Sequence, residues 1–258
     1  MADAHAIPRG AIKVLAVASA VSSLLVAACG GGSGDGSSSG ATAEGLWLGP
    51  SNTSRTITAL VLDDATFYVF YSAAGNPAVI AGVVQGSGNS DNGNFSSTNV
   101  RDFNVEASNL LAPTFSATYL PRQSLKGTIT YTPPGGAVTF PATFNASYDS
   151  TPSLAALAGT FTGRAAALQS AENATVAINS AGTISGSGTS GCTVSGTITP
   201  RARGNVFNVS LTFGAAPCIL ANQTTTGAAY FDSGTKRLLV ATPNAARTDA
   251  VLFVGTKP

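Results

Sequence analysis

Histidine and methionine are all but missing from this chain. The only histidine is His5 and the only methionine is Met1, so no imidazole exists beyond residue 28. That removes the Ser-His-Asp and Cys-His designs, and with them zinc, copper and non-haem iron sites built on histidine. Charge is scarce as well, at 10% of residues. Beyond residue 28, eleven Lys/Arg balance eleven Asp/Glu, which argues against nucleic acid and against strongly charged substrates as partners. No apolar run reaches the ~20 residues of a membrane-spanning helix. Cysteine occurs only at Cys29, Cys192 and Cys218.

What is present near the start has the make-up of an export signal. Arg9 and Lys13 precede an apolar stretch from Val14 to Ala28, broken only by Ser19, Ser22 and Ser23, and it ends in small residues as a cleavage site does. Val26-Ala27-Ala28-Cys29 then resembles the lipobox of bacterial lipoproteins. That resemblance implies a diacylglycerol thioether on Cys29, cleavage after Ala28 and acylation of the new amine. The expected divisions are a signal peptide over 1–28 and a lipidated Cys29 with a Gly/Ser-rich tether over 29–44. A β domain over 45–153 and a second over 154–258 follow. Two or more acyl chains hold a protein stably at a bilayer, at roughly 0.8 kcal/mol per buried methylene. Gly30 is not the aspartate that retains lipoproteins at the inner membrane in enteric bacteria, so the expected location is the outer membrane.

With Cys29 taken by lipid, Cys192 and Cys218 remain. An even remainder in an exported protein reads as one disulfide, worth roughly 3.5 kcal/mol on the chain-entropy view. Two buried free thiols are the alternative.

The body of the chain reads as all-β. Short segments rich in Thr, Val, Ile, Phe and Tyr alternate with Gly/Pro/Asn/Asp turns, without a 3.6-residue period. The clearest alternation sets Phe207, Val209, Leu211 and Phe213 against Asn208, Ser210 and Thr212, one face buried and one wet. Ser87–Gly93 reads as a loop, and Asp232–Thr235 as a hairpin turn with Gly234 at positive φ. One helical turn is expected at Leu154–Ala158, capped by Ser150 or Ser153. Two echoes link the halves: Gly45-x-Trp47-x-Gly49 with Gly159-x-Phe161-x-Gly163, and Thr114–Arg122 with Thr193–Arg201. The expected fold is two consecutive small antiparallel β-barrels or β-sandwiches after a flexible tether. This plan is similar to that of transferrin-binding and factor-H-binding surface lipoproteins, and the opening Gly-x-Trp is similar to that of lipocalins and avidins. No functional residue of those families maps onto this chain.

Candidate chemistry is thin. Gly186–Gly191 matches G-x-G-x-x-G, but strand rather than helix follows it, so it reads as a turn. Ser233-x-x-Lys236 and Ser90-Asp91-Asn92 match two penicillin-recognising elements in the wrong order. Asp63, Asp64, Asp91 and Asp102 read as turn acids rather than metal ligands or a carboxylate pair. Arg201, Arg203, Arg247 and Asp249 read as edge charges that discourage strand-to-strand aggregation, with an anion contact as the alternative. Among the aromatics, Tyr68 and Phe70 share one face with Phe67 and Tyr71 off it. Core packing or barrel lining is the first expectation for this group, and Trp47, Tyr68 and Tyr71 are the candidates for contact with a partner or ligand. The function expected is therefore a membrane-anchored envelope lipoprotein with a non-enzymatic binding or structural role, without metal or cofactor. The alternative is a carrier of a small apolar ligand inside a barrel, as in lipocalins.

Overall fold

The computed structural model describes residues 41–132 and 135–258. The expected signal peptide, Cys29 and the expected tether as far as residue 40 lie outside the described residues. Two up-and-down antiparallel barrels follow one another. The first is built from β1 (Gly45–Pro50), β2 (Thr56–Val61), β3 (Thr66–Ala73), β4 (Asn76–Asp91), β5 (Asn94–Asn104), β6 (Asn109–Leu111), β7 (Thr114–Leu120), β8 (Ser124–Thr130) and β9 (Ala137–Phe144). The second is built from β10 (Gly159–Ala167), β11 (Ser170–Ile178), β12 (Thr183–Gly188), β13 (Thr193–Pro200), β14 (Phe207–Phe213), β15 (Thr224–Asp232), β16 (Arg237–Pro243) and β17 (Ala250–Thr256). A 3-10 turn, Ala146–Asp149, and the four-residue helix α1, Leu154–Leu157, connect them. Ser153 caps α1 by accepting from the Ala156 amide, as the sequence indicates.

The first barrel has eight staves rather than nine. β6 and β7 both lie against β5, at its end and its beginning respectively. They are one strand broken at Pro113, whose nitrogen has no hydrogen to give the ladder. The SGNSDNG run is strand, not loop. β4 stays paired with β5 as far as Asp91↔Asn94 through a register shift between Ser87 and Asn89. Only Asn92 and Gly93 turn, with φ of 45° and 81°, the two positive values that a tight hairpin with the right-handed twist requires. In the β15–β16 turn the positive φ belongs to Lys236 rather than Gly234; Gly234 instead gives its amide to Asp232 Oδ1 at 2.9 Å.

One of the two echoes is structural. Gly45 and Gly159 open β1 and β10, and Trp47 and Phe161, both fully buried, point into the two interiors. Gly49 and Gly163 sit where the first strand of each barrel meets its last. A Cβ at Gly49 would stand 1.9 Å from the Pro141 carbonyl oxygen, and one at Gly163 would stand 2.0 Å from that of Val254. The second echo pairs β7 with β13, which occupy different places in their barrels, and is shared strand vocabulary.

Both interiors are filled. Trp47, Phe67, Phe95, Phe115, Phe140 and their aliphatic neighbours pack the first. Leu157, Phe161, Phe207, Phe231, Phe253 and three isoleucines pack the second. A third apolar cluster joins the barrels: the outward side chains of β1–β5, including Leu60, Tyr68, Phe70 and Phe103, meet Tyr230, Leu239, Ala241 and Leu252 from β15–β17. The two barrels accordingly form one compact unit. Strands at this seam are buried on both faces, so β3 and β16 read as unbroken apolar runs, whereas β14, away from it, alternates.

Polar side chains rim the seam. Arg201 donates to Asp63 Oδ1 at 2.6 Å and Asp64 Oδ2 at 3.2 Å, and Arg203 pairs with Glu44 at 2.7 Å. Arg247 reaches Gln85 and Asn99, making four contacts of 2.6–3.2 Å. These arginines are therefore cross-barrel clamps, not edge guards. Closed barrels leave few edges to guard. Cys192 and Cys218 are joined, with Cα atoms 4.6 Å apart; the bond ties the start of β13 to the loop after β14.

The chain enters the first barrel at one end, beside the β4–β5 hairpin. Ala43 gives its amide to Ser90 Oγ, Trp47 Nε1 donates to the Ala43 carbonyl, and the Tyr119 hydroxyl donates to that of Ala41. The opposite end of this barrel carries the pocket.

Candidate functional site

At that opposite end the filled interior of the first barrel gives way to a cavity of about 610 Å³, within the ~300–1,000 Å³ of small-molecule sites. Its walls are Ile57 from β2, Leu111 and Ala112 at the broken strand, Ile129 from β8 and Val138 from β9. Its floor is polar. Asp102 points inward from β5 and is 1% exposed. Its Oδ1 accepts from the Tyr71 hydroxyl at 2.7 Å and its Oδ2 from the Tyr131 hydroxyl at 2.8 Å.

These groups converge for local reasons. Tyr71 is an inward residue of β3, and its hydroxyl fits only because residue 82 on β4 is glycine. A Cβ there would lie 2.1 Å from that oxygen and 2.7 Å from the Phe103 carbonyl. Tyr131 is the residue after β8, at the lip. Arg55 precedes β2 and lies with its guanidinium carbon 5.5 Å from the centre of the Tyr71 ring. It donates to the Ser72 carbonyl at 2.8 Å and pairs with Glu106 at 2.6 Å.

Burial pushes the Asp102 carboxyl above the ordinary carboxylate value, against the pull of the two hydroxyls and Arg55. Burial first and Asp102 second hold Tyr71 and Tyr131 above the ordinary phenol value, so both hydroxyls keep their protons and act as donors. Each carboxylate oxygen has one such partner and room to accept more.

Of the residues singled out in the sequence, only Tyr71 and Asp102 meet here. Trp47 is fully buried against Phe144, so no face of it is open to a partner. Tyr68 lies in the seam, where burial pushes its hydroxyl up to about 12. The expectation that one face of this aromatic strand is presented to a partner is corrected for Tyr68, because the second barrel covers that face. Asp63 and Asp64 hold Arg201, and Asp91 closes a hairpin, so the four acids do not assemble. Asp102 is no turn acid. Arg55 and Tyr131 were not legible as site residues. The available signal was the inward parity of Val100, Asp102 and Asn104 on one strand, which Phe103 between them obscures.

Two other openings lack a buried carboxyl at their floor. A groove of about 920 Å³ runs between the β3–β4 hairpin and the outside of β10–β12 and β17, and one of about 530 Å³ lies beside Arg247. Among the described residues, no three of His, Cys, Asp and Glu gather as metal ligands do.

No protein-family model matches the chain, and no curated protein matches it. Among solved structures it is similar to isotype 1 transferrin-binding protein B of serogroup B Neisseria meningitidis, at 9% identity and a TM-score of 0.29, over 78% of this chain and 66% of that one. A double mutant of transferrin-binding protein B from Haemophilus parasuis Hp5 is similar at 9% identity and a TM-score of 0.28, over 78% and 65%. A provisionally assigned outer-membrane protein of Bacteroides fragilis gives 13% identity and 0.27, over 84% and 98%. The alignments thus span less than two thirds of the length of either transferrin-binding protein. At these scores the likeness bears on neither ligand nor partner.

Proposed function

We propose that this chain is a non-enzymatic binding protein, lipid-anchored in the cell envelope through Cys29, whose binding site is the open mouth of its first barrel. The observation that carries the site is a buried carboxylate facing a cavity at the end of an otherwise filled barrel. Two tyrosine hydroxyls satisfy the hydrogen bonding of this carboxyl, but its ionised form has no ion-pair partner among the described residues, and a buried charge is costly without one. The filled interiors count against the alternative of an apolar ligand held within the lumen; in the first barrel a ligand has room at the mouth. The anchor rests on the Val26–Cys29 pattern and the apolar stretch before it.

Two expected results test this reading. The wild-type chain expressed in a Gram-negative host stays with membranes after a carbonate wash, whereas Cys29→Ser is unprocessed or soluble. Membrane retention of a Cys29→Ser protein that has been cleaved after Ala28 would exclude the lipid anchor. In a fragment screen read by methyl NMR on the full chain, binders shift the signals of Ile57, Leu111, Ile129 and Val138 together. Binders that instead cluster on the groove beside Val79 and Val254 would move the site there.

A further inference from the structure

From the charge balance of the mouth we infer that its ligand is an organic cation, an alkylammonium group carried on an apolar body. The inference rests on the mouth being the binding site. Three charged side chains stand at or beside the cavity. Arg55 is neutralised by Glu106 at 2.6 Å and further occupied by the Ser72 carbonyl. Asp102 has no cationic partner among the described residues, since both its contacts come from neutral hydroxyls. Arg55 attracts Asp102 without an ion pair and is itself balanced by Glu106, so the ionised site is left with a net negative charge in a place shielded from water, where Coulomb attraction is strongest.

The walls favour the same ligand. Tyrosine ring faces attract cations, and the Tyr71 ring already has one at 5.5 Å, the Arg55 guanidinium. Among the described residues, no cation covers the Tyr131 ring. The aliphatic wall of Ile57, Leu111, Ile129 and Val138 suits an alkyl body and offers nothing to a second charged group. An anionic ligand would face Asp102 with only a neutralised arginine to receive it. A neutral ligand would leave the carboxylate uncompensated.

Proton and ligand compete for one group. Burial holds the Asp102 proton more tightly than an ordinary carboxyl does, and Tyr71, Tyr131 and Arg55 are the titratable and charged groups around it. A bound cation favours the ionised form, so affinity falls as pH drops through the Asp102 value and is full above it.

Calorimetry and methyl NMR on the purified full chain with three hexyl ligands that differ mainly in head-group charge test this: hexylammonium, hexanol and hexanoate. Hexylammonium is expected to bind at the mouth roughly tenfold or more tightly than hexanol, and hexanoate more weakly than either. Asp102→Asn, which keeps an acceptor for Tyr71 and offers an amide to Tyr131, is expected to bind the cation no more tightly than hexanol and to abolish its pH dependence, with a wild-type circular dichroism spectrum and a single cooperative melt confirming the fold. Equal or tighter binding of hexanol or hexanoate at the mouth overturns the cation and leaves the site standing. No mouth shifts with any of the three overturn both.

Discussion

Leu252→Asp is expected to divide the unfolding of this protein into two transitions. Leu252 is fully buried, but it faces outward from β17 into the seam, opposite Ala166 and Ala241 in the ladders. Its neighbours Val251 and Phe253 carry the inward parity, and Phe253 packs the second barrel's own core. A carboxylate at position 252 cannot stay within the seam, because an unpaired buried charge costs several kcal/mol. Once the barrels part, the same carboxylate lies on a wet outer surface, where it costs little. The second barrel should therefore survive while the contact between barrels fails. In wild type, urea unfolding followed by Trp47 fluorescence, which reports on the first barrel, should coincide with far-UV circular dichroism, which reports on both. In Leu252→Asp the two curves should separate, and protease should cut between Asn145 and Ala158. Coincident curves and an intact connection in the variant would show that the seam does not couple the barrels.

Gly163→Ala is expected to have the other large effect, a loss of 3 kcal/mol or more, or failure to fold, estimated at about the upper end of single substitutions. The added Cβ would meet the Val254 carbonyl oxygen at 2.0 Å and the Gly255 Cα at 2.4 Å. Both are backbone atoms of the closing strand, so no rotamer change relieves the overlap. The strand must move away, and the β10–β17 ladder runs only from Thr162↔Thr256 to Ala166↔Leu252. Gly49→Ala repeats the test in the first barrel, where β1 and β9 share just two register pairs. Thr162→Ala, an exposed neighbour on the same strand, is the control. A Gly163→Ala protein within about 1 kcal/mol of that control in urea titration would refute the closure argument.

These two positions also show how far the sequence could be read. The Gly-x-aromatic-x-Gly echo was visible, as were most of the strands and turns and the Cys192–Cys218 pair. Its reason was not visible, because a glycine that admits a neighbouring strand looks the same as one that merely turns the chain. The seam was hidden in a similar way. Phe67–Tyr71 and Leu238–Ala241 break the alternation of a one-sided strand, but a short continuous run carries no label for what covers its second face. The arginines were read singly, and only the folded chain brings Arg201 to Asp63 across 138 residues. Asp102 was lost among turn acids because the shift between Ser87 and Asn89 in the paired strand and the apolar Phe103 beside it blur which way β5 points. A site that depends on one inward acid and two tyrosines from other strands leaves no local pattern.

The way the chain enters the first barrel gives the pocket a direction. Residues 41–45 join at the β4–β5 end and the Asp102 mouth opens at the other, so about 20 Å of strand, six residues of β1 at the usual rise, separates the point of attachment from the ligand. A ligand therefore reaches Asp102 from the end farther from the N-terminal entry, and anything docked where the chain enters would leave the mouth open.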